Sequence, residues 1–143
     1  MKKGFIFILS LLLILTGCAN NSSQQDEEKK LTIWAWDDSF NVHAANKAKE
    51  YYEGDYEVEV VSMSQDDIVQ KLNTSLSSNS VEGLPNIVLV EDYKIQGYLR
   101  SYPEAFAKLD EIIDESKFSD YKLAVTKNDG VNYGVPFDSG VVS

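Results

Sequence analysis

Cysteine is almost missing: the 143-residue chain has one. A single thiol cannot close an intrachain disulfide, and it excludes four-Cys and Cys/His zinc centres. Histidine is equally scarce. His43 is the sole example; it falls inside a helical stretch with no partner motif and reads as a solvated or packed side chain. Basic residues are outnumbered, 13 Lys and Arg against 23 Asp and Glu, giving a net charge of −10. That argues against a nucleic-acid partner, since phosphate contacts need clustered Lys and Arg. The apolar run Gly4 to Ile14 is too short to span a bilayer, which takes roughly 20 residues. No internal repeat is present. What remains is ordinary for a globular protein: 43% hydrophobic and 25% charged residues, enough for one domain or part of a larger one. Nothing in the pattern calls for a cofactor or a metal.

The hydrophobicity is unevenly placed. Met1-Lys2-Lys3 is a short positive start, and Gly4 to Ile14 follows without a charge. This fits the 7–15-residue apolar core of a secretory signal. Leu15-Thr16-Gly17-Cys18 comes next and resembles the lipobox of bacterial lipoproteins. The resemblance implies cleavage before Cys18 and lipid on that Cys, which gives stable anchorage when several chains are attached. The alternative is a plain signal peptide with Cys18 incidental. Residues 1–17 are therefore expected to be a lipoprotein signal. Residues 18–30 would be the lipidated Cys and a flexible tether, because Ala19 to Lys30 is polar throughout. A dozen such residues reach on the order of 20 Å.

From residue 31 onward, strand and helix signals alternate. Leu31 to Trp36 suits a buried strand, and Asp37-Asp38-Ser39 stops it. Phe40 to Tyr52 reads as helix and Tyr56 to Val61 as a second strand. Ser64 to Asp67 looks like an N-cap before a helix with Ile68, Val69, Leu72 and Leu76 on one face. Ile87 to Val90 is a third strand, Tyr93 to Leu99 a short helix, and Tyr102-Pro103 breaks it. Phe106, Leu109, Ile112 and Ile113 suggest a short amphipathic segment, Phe118 to Val125 another, and Val131 to Val135 a strand. The order predicts an α/β fold with a mostly parallel sheet and helices on both faces.

Ligands of open parallel sheets bind beyond the carboxyl ends of the strands. Strand one ends Trp36-Asp37-Asp38, strand three ends Glu91-Asp92-Tyr93, and the last segment offers Phe137-Asp138-Ser139. Carboxylates accept hydrogen bonds from hydroxyls, and rings pack on sugar C–H groups. The same set would suit a polyamine. The candidate ligand-binding residues are Trp36, Asp37, Glu91, Asp92 and Asp138. Asp37 and Asp38 also fit a helix-capping role, Glu91 and Asp92 likewise, and Asp138 fits a plain turn. Trp34 reads as core, Tyr51 and Tyr52 as packing residues, and Tyr93 as a core candidate.

Three segments together resemble family 1 extracellular solute-binding proteins, the binding subunits of ABC importers for carbohydrates. They are Leu31 to Asp37, Gly83 to Asp92, and Tyr133 to Gly140 with its Tyr-Gly-Val-Pro start. Asn86 stands where that family usually has Asp. The resemblance implies a periplasmic-binding-protein-like fold and no enzymatic activity. It implies a sugar ligand held by the acids and aromatics named above, and delivery to a membrane ABC permease. Because such proteins have two lobes and are longer, residues 31–143 are expected to be the N-terminal part of lobe 1, with an incomplete sheet. The expected location is extracytoplasmic, anchored to the cell membrane through lipid on Cys18. The competing readings are a polyamine-binding protein of the same class, a cell-surface glycoside hydrolase using paired carboxylates, and a lipoprotein that binds only protein.

Overall fold

A computed structural model describes residues 29–138. The signal, Cys18, most of the tether, and Ser139-Gly140 of the last motif lie outside the described residues.

Strand β1 (Lys30–Ala35) pairs in parallel on one side with β2 (Glu57–Ser62) and on the other with β3 (Ile87–Val88). The sheet order β2-β1-β3 confirms the expected parallel α/β arrangement. Helix α1 (Asn41–Glu50) joins β1 to β2, and α2 (Gln65–Ser77) joins β2 to β3. The two crossovers run in opposite directions, so the right-handed rule places α1 and α2 on opposite faces. Burial agrees. Trp34 packs with Ile68, Leu72 and Leu76 of α2, joined by Val61 and Val88 beside it in the sheet. Ala35, Val42 of α1 and Val58 are buried outside that cluster. Trp34 is thus a core residue, as its mid-strand position predicts.

Helix α2 starts where its sequence says it should. Ser64 Oγ accepts from Asp67 N at 3.1 Å and donates to the Asp67 carboxylate at 2.6 Å. Asp66 and Asp67 sit in the first turn, where the helix dipole favours acids. Strand β3 is shorter than the apolar run Ile87 to Val90 predicts. Its ladder is extended at both ends by other means: Thr32 N donates to Asn86 Oδ1 at 2.9 Å, and Leu89 N to the Trp34 carbonyl at 2.9 Å. Asn86 therefore supplies the same acceptor that an Asp would. Beyond that bond Leu89 and Val90 line a pocket, and Val90 packs on the core rather than continuing the ladder.

Helix α3 (Asp92–Ser101) lies against α4 (Asp120–Thr126), with Leu99 and Leu123 buried. Gln96 Nε2 fastens the two, donating to the carbonyls of Val125 and Lys127, each at 2.8 Å. The expected strand Val131 to Val135 is only β5 (Val131–Asn132), paired antiparallel with β4 (Lys127–Asn128). Asp129 and Gly130 between them have φ of 50° and 82°, as a two-residue hairpin turn requires. The expected amphipathic segment from Phe106 to Ile113 is not a helix. A 3₁₀ turn at Pro103–Ala105 precedes it, Phe106 packs on the core, and Ile112 is exposed. Tyr51 and Tyr93 are 82% and 73% exposed, so neither is the packing residue expected; Tyr52 is exposed too.

Tyr98 is buried in the main cluster and donates its hydroxyl to Asn73 Oδ1 at 3.0 Å. Burial raises its pKa above the ordinary tyrosine value, with Lys94 opposing. The unfolded chain releases this proton near pH 10 while the folded chain holds it. The stability it contributes is therefore full below about pH 10 and is lost as pH rises toward the folded value. Tyr98→Phe should cost about 0.5–1.5 kcal/mol at neutral pH and give a shallower alkaline decline. Urea midpoints between neutral pH and about pH 11 check this; an unchanged slope would count against it.

Candidate functional site

Beyond the C-terminal ends of the three parallel strands the chain makes two adjoining features. The first is a narrow pocket. Trp36 follows β1 on the face covered by α2, and is half-buried. With Gln65 and Ile68 of α2, Leu89 after β3, and Glu91 and Lys94 it lines that pocket. Glu91 occupies the N-cap position of α3 but makes no side-chain cap bond. Its Oε2 is buried and has no hydrogen-bond partner among the described residues. A buried carboxylate oxygen left unpaired costs free energy that a donor supplied there would recover.

The second feature is the turn after Trp36. Asp37 has φ of 63°, a left-handed conformation uncommon outside glycine but tolerated by Asp. Its Oδ1 accepts from Ser39 N at 3.1 Å and Ser39 Oγ at 2.6 Å. Its carbonyl accepts from Val42 N at 3.1 Å. Asp38 accepts from Ser62 Oγ at 2.6 Å, which ties the turn to the end of β2. Neither acid caps α1 with its side chain, because the N-cap position is Phe40 and it has no such bond. Asp37 instead closes the turn that leads into α1, through Ser39 and the Val42 amide.

This turn also receives the end of the described chain. The rings of Phe40 and Phe137 are 5.9 Å apart and tilted by 40°. Asp138 follows Phe137 directly in the chain. The structure thus places Trp36 and Glu91 in one pocket, while Asp37 lies in the turn before Phe40 and Asp138 follows Phe137. Asp92 is engaged elsewhere, by Lys122 of α4 at 2.6 Å. His43 is exposed. Among the described residues no cluster of three or more His, Cys, Asp or Glu is placed to hold a metal ion.

Phe40 is the residue that sequence reasoning missed, since it reads as the first residue of a helix. The repeated aromatic-acid pairs Trp36-Asp37 and Phe137-Asp138 are the signal nearest to it. Chemically, the turn and pocket offer acceptors for hydroxyl donors and ring faces for apolar C–H groups.

The family profile described as bacterial extracellular solute-binding protein matches residues 29–142, and the chain belongs to that family. It is 42% identical over 135 residues to a lactose-binding protein of Rhizobium radiobacter, covering 92% of this chain and 32% of the relative. Its fold is similar to that of the GacH receptor of Streptomyces glaucescens, a protein crystallised unliganded and in complex with acarbose. That likeness has a TM-score of 0.54 at 20% identity, over 72% of this chain and 27% of the receptor. The chain spans about a third of the length of these relatives.

Proposed function

We propose that this chain forms the N-terminal part of lobe 1 of a carbohydrate-binding receptor, the extracytoplasmic component of an ABC importer. It binds a sugar and presents it to a membrane permease, without chemistry on the ligand. The observation that carries this reading is the family match together with 42% identity to a lactose-binding protein over 92% of this chain; beside Trp36, in a space of about 10 Å³, the structure adds a buried Glu91 oxygen with no partner among the described residues. A sugar hydroxyl supplies the missing donor, and the indole supplies the surface for the C–H face. The likeness to a lactose-binding protein supports the ligand class. Lys94 on the pocket wall disfavours the polyamine reading, because it would repel an ammonium group there. Asp38 and Asp92 are each held by a partner of their own, which leaves little of the paired-carboxylate arrangement that a hydrolase needs.

A thermal-shift screen of mono- and disaccharides, putrescine and spermidine on the full-length protein tests this reading. Stabilisation by a saccharide supports it; stabilisation by polyamines alone overturns it.

Residues 1–17 serve as the lipoprotein signal in this account, and residues 18–30 as the anchor and tether. Cys18→Ala should abolish labelling by a fatty-acid analogue and move the protein out of the detergent phase. Continued labelling of the Ala variant would contradict the lipobox.

A further inference from the structure

Three of the chain's eight tyrosines, Tyr51, Tyr52 and Tyr56, fall within six residues, in the loop between α1 and β2. They are 82%, 41% and 48% exposed. Tyr51 N and Tyr52 N donate back to the Ala48 and Lys49 carbonyls, closing the end of α1. Tyr52 folds over Gly54, where a Cβ would strike its ring. Rings clustered in water mark a surface that meets something else. The described chain begins at this same edge. Glu57 N donates to the Lys29 carbonyl at 2.7 Å, and Lys29 Nζ lies 3.6 Å from Asp55. The segment from Cys18 therefore joins the domain beside the tyrosines. Cys18 is eleven positions before Lys29, so the two are at most about 40 Å apart.

The charge around the loop differs from that of the rest. Residues 47–59 with Lys29 and Lys30 hold four lysines and five acids, while the other described residues hold seven basic and fifteen acidic side chains. Three of the five acids are paired: Glu50 with Lys47 at 2.9 Å, Asp55 with Lys29, and Glu59 with Lys30 at 2.9 Å. The strongly acidic remainder would be repelled by lipid phosphates, and this edge, close to neutral, would not. Tyrosine has the apolar body and polar tip that suit the headgroup level of a bilayer.

We infer that the Tyr51–Tyr56 loop is a membrane-facing surface, its rings resting among the headgroups of the bilayer that holds the lipid on Cys18. The inference rests on the lipid-anchor reading above. The anchor makes the contact intramolecular, so a few rings suffice to hold it. Strand β1 is six residues long, so this contact sets Trp36 about 20 Å farther from the bilayer, with the strand ends turned outward.

The test uses the full-length lipoprotein reconstituted in phosphatidylcholine vesicles, against the same protein released by cleavage in the tether. Limited acetylation by water-soluble N-acetylimidazole, read by mass spectrometry, reports each tyrosine. Modification of Tyr51 and Tyr56 should fall several-fold on the vesicles, while Tyr93, 73% exposed and on α3, should not change. The protection should persist at high salt. Equal protection of Tyr93, or no protection of Tyr51 and Tyr56, overturns the proposal and leaves the anchor standing. Protection that requires phosphatidylglycerol, or that salt abolishes, also overturns it, because the contact would then be one of charge. A protein that does not stay with the vesicles overturns the anchor reading and the membrane-facing loop with it.

Discussion

Trp34→Ala is expected to cost about 3–5 kcal/mol of stability, whereas Trp36→Ala, two residues on, costs far less and weakens ligand binding instead. The two indoles lie on the same face of the sheet, so sequence distance does not separate them; depth does. Trp34 is buried beneath α2, among Ile68, Leu72 and Leu76, with Lys71 Nζ 5.8 Å from its ring centre. Removing it leaves a cavity that these neighbours cannot fill, in a protein whose net stability is of order 5–15 kcal/mol. Trp36 is half-buried past the last ladder residue and faces the pocket. Its loss takes away a stacking surface worth about 0.5–1.5 kcal/mol beyond its area, so affinity should fall several-fold. Denaturant unfolding and calorimetric titration of both variants in the full-length protein check the split. Equal behaviour of the two would mean that the strand end is misplaced as the binding face.

The Glu91→Ala variant should lose about 10- to 150-fold in sugar affinity, the value of a hydrogen bond to a charged group, about 1.5–3 kcal/mol. The same variant should be no less stable than wild type in the absence of sugar. The reason is that Glu91 Oε2 has no hydrogen-bond partner among the described residues and does not cap α3, so its burial opposes folding. A group that weakens the empty protein and strengthens the complex is the signature of a ligand contact. Isothermal titration gives the first quantity and urea unfolding without sugar the second. A variant that loses stability while keeping its affinity would make Glu91 a structural residue.

How far the sequence could be read depended on whether each signal was local. Helix α2 was legible because its cap Ser64 and its apolar stripe Ile68-Leu72-Leu76 both lie within one short stretch. Strand β1 and the parallel order followed from short apolar runs separated by helical ones. The length of β3 was not legible, since an apolar run looks the same whether it pairs or packs. The hairpin at Asp129-Gly130 carried its own turn signal but was obscured by the longer apolar run after it. At the candidate site, the strand-end rule selected Trp36 and Glu91, which line one pocket. It also selected Asp92, whose ion pair with Lys122, thirty positions on, nothing in the nearby sequence announces. The pairing of Phe40 with Phe137 is purely tertiary. No periodicity links the first turn of the domain to its last described residues.

The most direct measurement is calorimetric titration of the full-length protein with lactose and related disaccharides, with spermidine titrated in parallel. The account predicts a saturable one-to-one heat with a saccharide that Glu91→Ala diminishes, and none with spermidine. Saturable binding of spermidine with no saccharide response would contradict it, as would saccharide binding to which Trp36 and Glu91 contribute nothing.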